Sequence, residues 1–326
     1  MYKTYVISLN KPDKLLLEIS KYGLDPILVE GVNGKKLSKE EINDNTTYFG
    51  SLFTPLSVIG IAMAHIKTWK LFLESDAEYG IIFEDDVVFE DNFKAELDNG
   101  IKNTPKDFDI LYLGCFGCQN SINFYTILSA NTGLINMNAG YVNKYVNKPV
   151  VTFATHAYVI SRKGAKKLLN YIEHNIYTHV DLNIQTLVTN NLLNIYSLNN
   201  RLVYQTSTDE TQSLNVSSSH PIILNNILSE YYIDKKVKAS YGSTVSLFKI
   251  GNFNFNPCSL LFILLGVILS TTSIDILTIT GIYLLISFPD LYIDINNNSV
   301  KIHYLLLVIP YLLFKEFNLW DKINNG

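Results

Sequence analysis

Three consecutive acidic residues, Glu84, Asp85 and Asp86, form the most chemically distinctive feature of this 326-residue sequence. They directly follow the apolar run Tyr79–Phe83. Their mutual repulsion at close range is unfavourable unless a cation is present. Carboxylate oxygens are hard ligands that suit Mg²⁺ or Mn²⁺. The cluster therefore predicts a divalent metal site, and the alternative is a solvated acidic turn that caps a helix near Phe89.

The elements that position this cluster follow from the apolar pattern. Up to about Leu214, short apolar runs alternate with amphipathic stretches, which is typical of an α/β domain. Ligands of an open α/β sheet bind outside the carboxyl ends of its strands, where the acidic cluster falls. The region 123–147 is polar and favours a loop or hairpin. Strands are predicted over Lys3–Leu9, Pro26–Val29, Tyr79–Phe83, Ile110–Gly114 and Ala157–Ile160.

Helix start signals lie between these strands. Ser38 and Glu41 have the spacing of a capping box, and Ser161 caps a helix after the last predicted strand. The clearest helix begins at Thr54-Pro55. In that helix His65 lies off the apolar stripe formed by Ile59, Met63, Ile66 and Leu73.

Composition limits the classes of partner. The formal net charge is −4 and the sequence pI is about 5.9, with no long basic stripe, which argues against nucleic acid. Cys115 and Cys118 form a single CxxC without a second pair, so we expect two structural thiols rather than a zinc site. Thiols weakly indicate a reducing compartment. The N-terminus is too short and strand-like for a signal peptide, so we expect a cytoplasmic chain.

The C-terminal part of the sequence has a different character. We predict a domain over residues 1–220, a linker over 221–257 and an apolar helical region over 258–326. Between Cys258 and Phe288 the only charged residue is Asp275. This run is too long for one membrane helix and short for two. Three structures are compatible with this run: a membrane hairpin with Asp275 near its turn, a layer of helices on a membrane surface, or a buried helical subdomain.

The order of motifs in the first 215 residues resembles glycosyltransferase family 25, the group of lipopolysaccharide-core and collagen galactosyltransferases with a GT-A-type fold. Each motif is weak alone, but eight in the same order are specific. Ile82–Val87 matches the Glu-Asp-Asp core of that family. The other matching segments are Tyr5–Leu9, Val29–Lys35, Gly60–His65, Phe108–Gly114, Thr155–Ala165, Val180-Asp181 and Val203–Gln205.

The sequence departs from the family pattern at several places. Asn33 stands where aspartate is usual, Ile61 where cysteine is usual and Ala64 where serine is usual. Lys11 and Lys14 stand where arginines commonly follow the first strand, so bidentate phosphate contacts would be lost there. The acidic core itself is unchanged.

The resemblance implies a GT-A-like open sheet and roles for individual residues. Asp86 would coordinate Mn²⁺ or Mg²⁺, with Glu84 and His156 as further metal ligands. Glu84 or Asp85 would contact the ribose or a metal-bound water. The remaining residues that would bind the nucleotide sugar are Ser8, Leu9, Asn10, Lys14, Asn33, His65 and Gln205. His65 and His156 fit a structural role in the core equally well.

Asp181 is the candidate general base, because an inverting transfer needs one group to take the proton of the acceptor hydroxyl. The alternative is a helix N-terminal acid favoured by the dipole. The resemblance implies transfer of galactose or glucose from a UDP-sugar to a glycan, lipid-linked or protein hydroxyl. A catalytically inactive glycan-binding or membrane-tethered relative is the alternative. A nucleotidyltransferase is disfavoured because the sequence lacks a glycine-rich phosphate loop.

Overall fold

The computed structural model describes residues 2–116, 118, 136, 138–205, 247–251, 253–293, 295–296 and 298–316. The chain folds as two compact units, Met1–Thr206 and Ser207–Gly326. We call them the sheet unit and the helical unit and describe each by itself. The predicted boundary at residue 220 and most of the predicted linker lie outside the described residues.

An eight-stranded sheet forms the centre of the sheet unit, with strand order β2-β1-β3-β8-β5-β9-β7-β6. A short pair, β4 and β10, lies outside it. The strands are β1 (Tyr2–Ser8), β2 (Pro26–Glu30), β3 (Tyr79–Glu84), β4 (Val87–Phe89), β5 (Ile110–Phe116), β6 (Gly140–Tyr141), β7 (Val146–Lys148), β8 (Phe153–Ser161), β9 (Ile195–Leu198) and β10 (Val203–Gln205).

Strand direction brings several distant residues to one edge. β1, β2 and β3 are parallel, β8 is antiparallel to β3 and β5, and β9 is parallel to β5. The carboxyl ends of β1, β3 and β5 therefore meet the amino end of β8. Register pairs Ile7 with Glu84 and Phe83 with Ala157. The predicted α/β fold class is confirmed.

Helices cover the sheet, and their capping explains where they begin. Both hydrogen bonds of the predicted Ser38–Glu41 capping box form, and Ser161 accepts from the Gly164 backbone N–H. The helices in the described part of this unit are α1 (Asp13–Lys21), α2 (Lys39–Asn45), α3 (Tyr48–Phe53), α4 (Leu56–Glu74), α5 (Phe93–Asn103), α6 (Arg162–Ile172) and α7 (Val180–Thr189).

The long helix α4 packs closely on the loop after β2. A Cβ on Gly34 would lie 1.7 Å from the Leu56 carbonyl oxygen, so only glycine fits there. Thr54 does not cap α4 as predicted; its hydroxyl donates to the Tyr177 carbonyl oxygen. Trp69 is fully buried on the inner face of α4. These contacts fix α4 across one face of the sheet.

The helical unit contains a hairpin of β11 (Phe248–Ile250) and β12 (Phe253–Phe255), followed by three helices. The helices are α8 (Pro257–Ser270), α9 (Ile276–Ile293) and α10 (Asn298–Glu316). The apolar run from Cys258 thus forms two helices, and Asp275 lies in the turn between them. α10 is longer than the apolar run 304–314, with Pro310 inside it.

Two expectations change at this level. Cys115 and Cys118 form a disulfide rather than two free thiols, which removes the ground for expecting a reducing compartment. Cys258 is buried and free, as expected. Among the described helices, only α4 has the length and hydropathy of a membrane span, and about half of it (56%) is buried inside the sheet unit.

Candidate active site

The acidic cluster lies at the carboxyl edge of the sheet, where Glu84 ends β3 and Asp85-Asp86 form the turn into β4. The three side chains do not converge. Each one bonds to a different segment of the chain: β1, β8 or β10. The cluster is therefore an anchored turn and not a pocket of three free carboxylates.

Asp85 connects the turn to the end of β1. The Ser8 hydroxyl donates to Asp85 Oδ2 and accepts from the Asn10 backbone N–H at 3.1 Å. The Ser8 carbonyl oxygen accepts from the Gly31 N–H at 2.7 Å. Partial burial, opposed by the Ser8 hydrogen bond and assisted by the Glu84 charge, raises the pKa of Asp85. The end of the first strand thus contacts the acidic turn.

Asp86 connects the turn to β10. Gln205 Nε2 donates to Asp86 Oδ2 at 2.9 Å, and the antiparallel pair β4–β10 places Gln205 opposite Val87. The structure therefore brings together two predicted site residues that are far apart in the sequence.

Glu84 turns inward, toward α4. Its Oε1 lies 3.2 Å from His65 Nε2 and accepts from the Thr155 hydroxyl at 2.9 Å. Burial alone would raise the pKa of Glu84, but the hydrogen bonds from His65 and Thr155 hold that pKa below its usual value. Glu84 is a partly exposed acid tied to α4 and β8.

His65 is fully buried in a chain of polar side chains. Trp69 Nε1 donates to the Tyr158 hydroxyl at 2.8 Å, and that hydroxyl lies 3.0 Å from His65 Nδ1. If the Tyr158 O–H donates to Nδ1 and His65 Nε2–H donates to Glu84, each donor has an acceptor. The network fits this tautomer and supports the core alternative for His65 over a phosphate-binding role.

His156 is buried on a different wall of the site. Its Nε2 lies 3.3 Å from the Val203 carbonyl oxygen, beside Gly114, where a Cβ would lie 2.6 Å from that nitrogen. Burial lowers the pKa of His156 to about 4. The contact of Nε2 with the Val203 carbonyl oxygen fits the structural alternative for His156, and its role as a metal ligand stays a prediction.

Asp181 lies in the first turn of α7 and is nearly buried. Its Oδ1 accepts from the Leu182 N–H and its Oδ2 from the Ala154 N–H, both at 2.8 Å. Ala154 has a φ of 68°, a left-handed conformation that costs a non-glycine residue about 1–2 kcal/mol. Because Thr155 bonds to Glu84, residues 154–155 connect Asp181 to the acidic turn.

The other predicted residues lie around this edge without meeting the turn. Asn33 caps the short 3₁₀ helix Gly34–Lys36 by accepting from the Lys35 N–H. Lys14 is exposed in α1, and the Leu9 and Asn10 side chains are exposed after β1.

The donor set fits a metal only in part. In the described part of the chain, no group of three or more His, Cys, Asp or Glu side chains is placed to hold a metal ion. The predicted set of Asp86, Glu84 and His156 is therefore not an assembled site, since Glu84 bonds to His65 and His156 faces Val203. Asp85 and Asp86 retain the chemistry for Mg²⁺ or Mn²⁺, which proteins often bind through one or two carboxylates plus substrate phosphates.

Thr155, Tyr158 and Trp69 contribute to the site and were not assigned from the sequence. Trp69 follows His65 by one helical turn, which was an available signal. Tyr158 lies 93 residues from His65, so only the fold could reveal their contact.

Comparison with known proteins gives the family. The family model described as "Glycosyltransferase family 25 (LPS biosynthesis protein)" matches residues 1–184. Procollagen galactosyltransferase 1-A of Xenopus laevis is 28% identical over 159 residues, 45% of this chain and 24% of the relative. A Bos taurus relative named "Probable inactive glycosyltransferase 25 family member 3" is 25% identical over 185 residues, 51% of this chain and 28% of its own. The chain thus spans about a quarter of the length of these relatives.

A solved structure is also similar, at a distance. Glucosyl-3-phosphoglycerate synthase of Mycobacterium tuberculosis, in complex with Mn²⁺, UDP-glucose and phosphoglyceric acid, has a TM-score of 0.34 and 13% identity. The match covers 80% of this chain and 91% of that one. The family model covers more than half of the chain and includes the acidic turn, and the chain belongs to glycosyltransferase family 25.

Proposed function

We propose that this chain transfers a hexose, galactose or glucose, from a UDP-sugar to a hydroxyl of a glycan, a lipid-linked glycan or a protein, with inversion at the anomeric carbon. The observation that carries the proposal is the acidic turn, held at the carboxyl edge of the sheet by Ser8 and Gln205 within the family match. The Xenopus laevis relative named as a galactosyltransferase supports the choice of donor class.

The nucleotide would bind along the edge formed by the end of β1. Ser8 fixes the backbone there through Asn10 and Gly31, which leaves the Leu9 and Asn10 side chains toward solvent. Lys14, one helical turn further on, supplies a positive charge for a phosphate. Asp86 and Asp85 would hold Mn²⁺ or Mg²⁺, and such an ion, when bound, neutralises the leaving diphosphate.

Asp181 is the proposed base. Two backbone N–H groups orient its carboxylate, and each oxygen keeps a lone pair for an acceptor hydroxyl. The acceptor oxygen forms a bond to the anomeric carbon as the bond to the diphosphate breaks, and Asp181 takes the hydroxyl proton. The same two backbone bonds also satisfy the helix-terminal alternative, so the test must measure transfer.

Release of UDP from a panel of UDP-sugars, with Mn²⁺ or with EDTA, tests the proposal. The intact chain is compared with Asp86→Asn and with the control Asp44→Asn, an exposed aspartate in α2. We expect metal-dependent hydrolysis of one sugar, a loss of about 100-fold or more in Asp86→Asn, and no change in the control. Equal rates in all three chains would contradict the assignment of Asp86.

An inactive relative that binds nucleotide or glycan is the second candidate. The engagement of Glu84 by His65 and Thr155, and the name of the bovine relative, favour it. Calorimetric titration with UDP separates the candidates, because an inactive binder would take up UDP without releasing it from any UDP-sugar.

A further inference from the structure

Each of the three described helices of the helical unit exposes large apolar side chains and buries polar ones, a pattern that we call reversed polarity. In α9, the buried face consists of Ile279, Tyr283, Ser287 and Asp290. Its exposed face carries Leu277, Ile282, Leu284, Leu285, Phe288 and Tyr292. A helix packed in water places its apolar residues inside and its polar residues outside. α9 instead exposes these six large side chains and buries Ser287 and Asp290, beside a small apolar core to which Ile279 and Tyr283 contribute.

The same reversal occurs on both neighbouring helices. In α8, Ser259 is fully buried and its hydroxyl lies 3.0 Å from Nε2 of the fully buried His303 in α10. The outward side chains of the two helices are Leu260, Leu261, Leu264, Leu265, Ile268, Leu305, Ile309, Leu312 and Leu313. A contact with one partner would need apolar residues on one face, whereas here every helix exposes them.

The packing between α8 and α10 uses small residues. A Cβ on Gly266 would lie 2.2 Å from the Leu307 carbonyl oxygen, so the two backbones approach closely there. Ser270, one turn further along α8, is also buried. Interfaces between helices in lipid are enriched in small residues and in polar side chains that bond across helices.

Polar groups close one end of the unit. Asp275 accepts from the Leu277 and Thr278 N–H groups at the start of α9. At the same end, Lys315 Nζ donates to the Thr272 and Ile274 carbonyl oxygens. Residues 302–314 of α10 carry no charge and span about 20 Å. A hydrocarbon core of about 30 Å exceeds this length, and flanking lysines can reach the headgroups.

We propose that α8, α9 and α10 form a bundle embedded in a lipid bilayer, with their exposed leucine, isoleucine and phenylalanine side chains in contact with the acyl chains. This proposal is independent of the proposed transfer reaction. It rests on the reversed polarity, and not on helix length, because the described helix with the length and hydropathy of a span is the core helix α4.

Fractionation of the intact chain is the first test. We expect the chain in the membrane fraction, retained through high salt and alkaline carbonate and released by detergent. Recovery in the aqueous fraction would overturn the proposal, and a homo-oligomer found there would show that a second copy covers the leucines instead.

Site-specific quenching is the second test. The intact chain is reconstituted into phosphatidylcholine vesicles with or without acyl-chain bromine, and one introduced cysteine carries a fluorophore. Leu285→Cys in α9 is compared with Leu17→Cys in α1, two leucines that are 74% and 66% exposed. The native cysteines are paired or buried and do not compete for the label.

We expect loss of most fluorescence at position 285 and none at 17. Equal quenching at both positions, or none, would overturn the proposal.

Discussion

The helix α6 of the sheet unit and the helix α9 of the helical unit show opposite relations between sequence and solvent. α6 buries Ala165, Leu168 and Ile172 and exposes Lys163 and Lys166. α9 buries Ser287 and Asp290 and exposes its leucines. Buried polar groups need partners in either setting. Exposed apolar groups on every helix are favourable only where the surroundings are apolar too. The proposed bilayer would supply such surroundings for the helical unit.

Polar groups inside the two units differ in what they do. In the sheet unit one group of them lies at the carboxyl edge, where the acidic turn, the Glu84–His65 network and Asp181 adjoin each other through β8. In the helical unit they bond helix to helix, as the Ser259–His303 contact shows. The first arrangement is typical of an active site, and the second is typical of contacts that hold helices together. Four tests of this comparison follow, from the largest expected effect to the smallest.

Close backbone contacts at glycine should be essential in both units. Gly34→Ala places a Cβ against the Leu56 carbonyl, and Gly266→Ala places one against the Leu307 carbonyl. Each should reduce the free energy of unfolding of its own unit by about 3 kcal/mol or more. Hydrogen exchange of peptides from each unit, measured in detergent, reports the effect. Gly140→Ala is the control, because nothing lies within 4 Å. A loss of protection in both units from either variant would contradict their independence.

Acid should destabilise the sheet unit through His156. Burial lowers its pKa from 6.5 to about 4, so between these values the unfolded chain binds a proton that the folded chain excludes. The free energy of unfolding should therefore fall as the pH drops from 6.5 to 4, by roughly 3 kcal/mol in total. Exchange protection of β8 peptides across this range measures the fall.

The variant His156→Gln should flatten that pH dependence, and His174→Gln, at an exposed position, should leave it unchanged. If the wild-type chain and His156→Gln lose protection with the same slope, the buried neutral histidine is not the cause.

Tyrosine hydroxyls should differ in importance between the units. Tyr158→Phe leaves Trp69 Nε1 and His65 Nδ1 without their partner and should cost about 2–3 kcal/mol. Tyr311→Phe removes a bond to the Ile274 carbonyl, which Lys315 also satisfies, and should cost less than about 1 kcal/mol. Exchange protection of each unit is the measurement, and equal losses would remove this distinction.

Glycine and alanine should have opposite effects at two positions. Ala154→Gly relieves the left-handed backbone conformation and should stabilise the sheet unit by about 1 kcal/mol. Gly281→Ala, in α9 with nothing within 4 Å, should stabilise the helical unit by a similar amount through helix propensity. A destabilising Ala154→Gly would indicate that the Asp181 contact does not hold Ala154 in a strained conformation.

Local features were predictable from the sequence because their causes are local. The capping box at Ser38 and the cap at Ser161 depend on residues three positions apart, and β3 depends on its own apolar run. The position of Glu84 at a strand end also followed from that run. Its inward direction did not, because His65 and Thr155 supply the partners and neither is near it in sequence.

In the helical unit, the residues that face inward could not be predicted from the sequence. The apolar run was visible in the sequence, but which residues face inward depends on how three helices pack. The contact of Ser259 with His303 joins residues 44 positions apart, and Tyr283 bonds to the Val300 carbonyl from another helix. Polarity reversal is a property of the assembled unit and cannot be read from one helix.

The three anchors of the acidic turn have a consequence for folding. Asp85, Glu84 and Asp86 bond to residues 77, 71 and 119 positions away, at Ser8, Thr155 and Gln205. Contacts of such high sequence separation form late, after the entropy of closing long loops has been overcome. A nascent chain that has not yet reached Gln205 cannot complete the turn. A ribosome-released fragment that ends before β10 would therefore lack the anchor of Asp86.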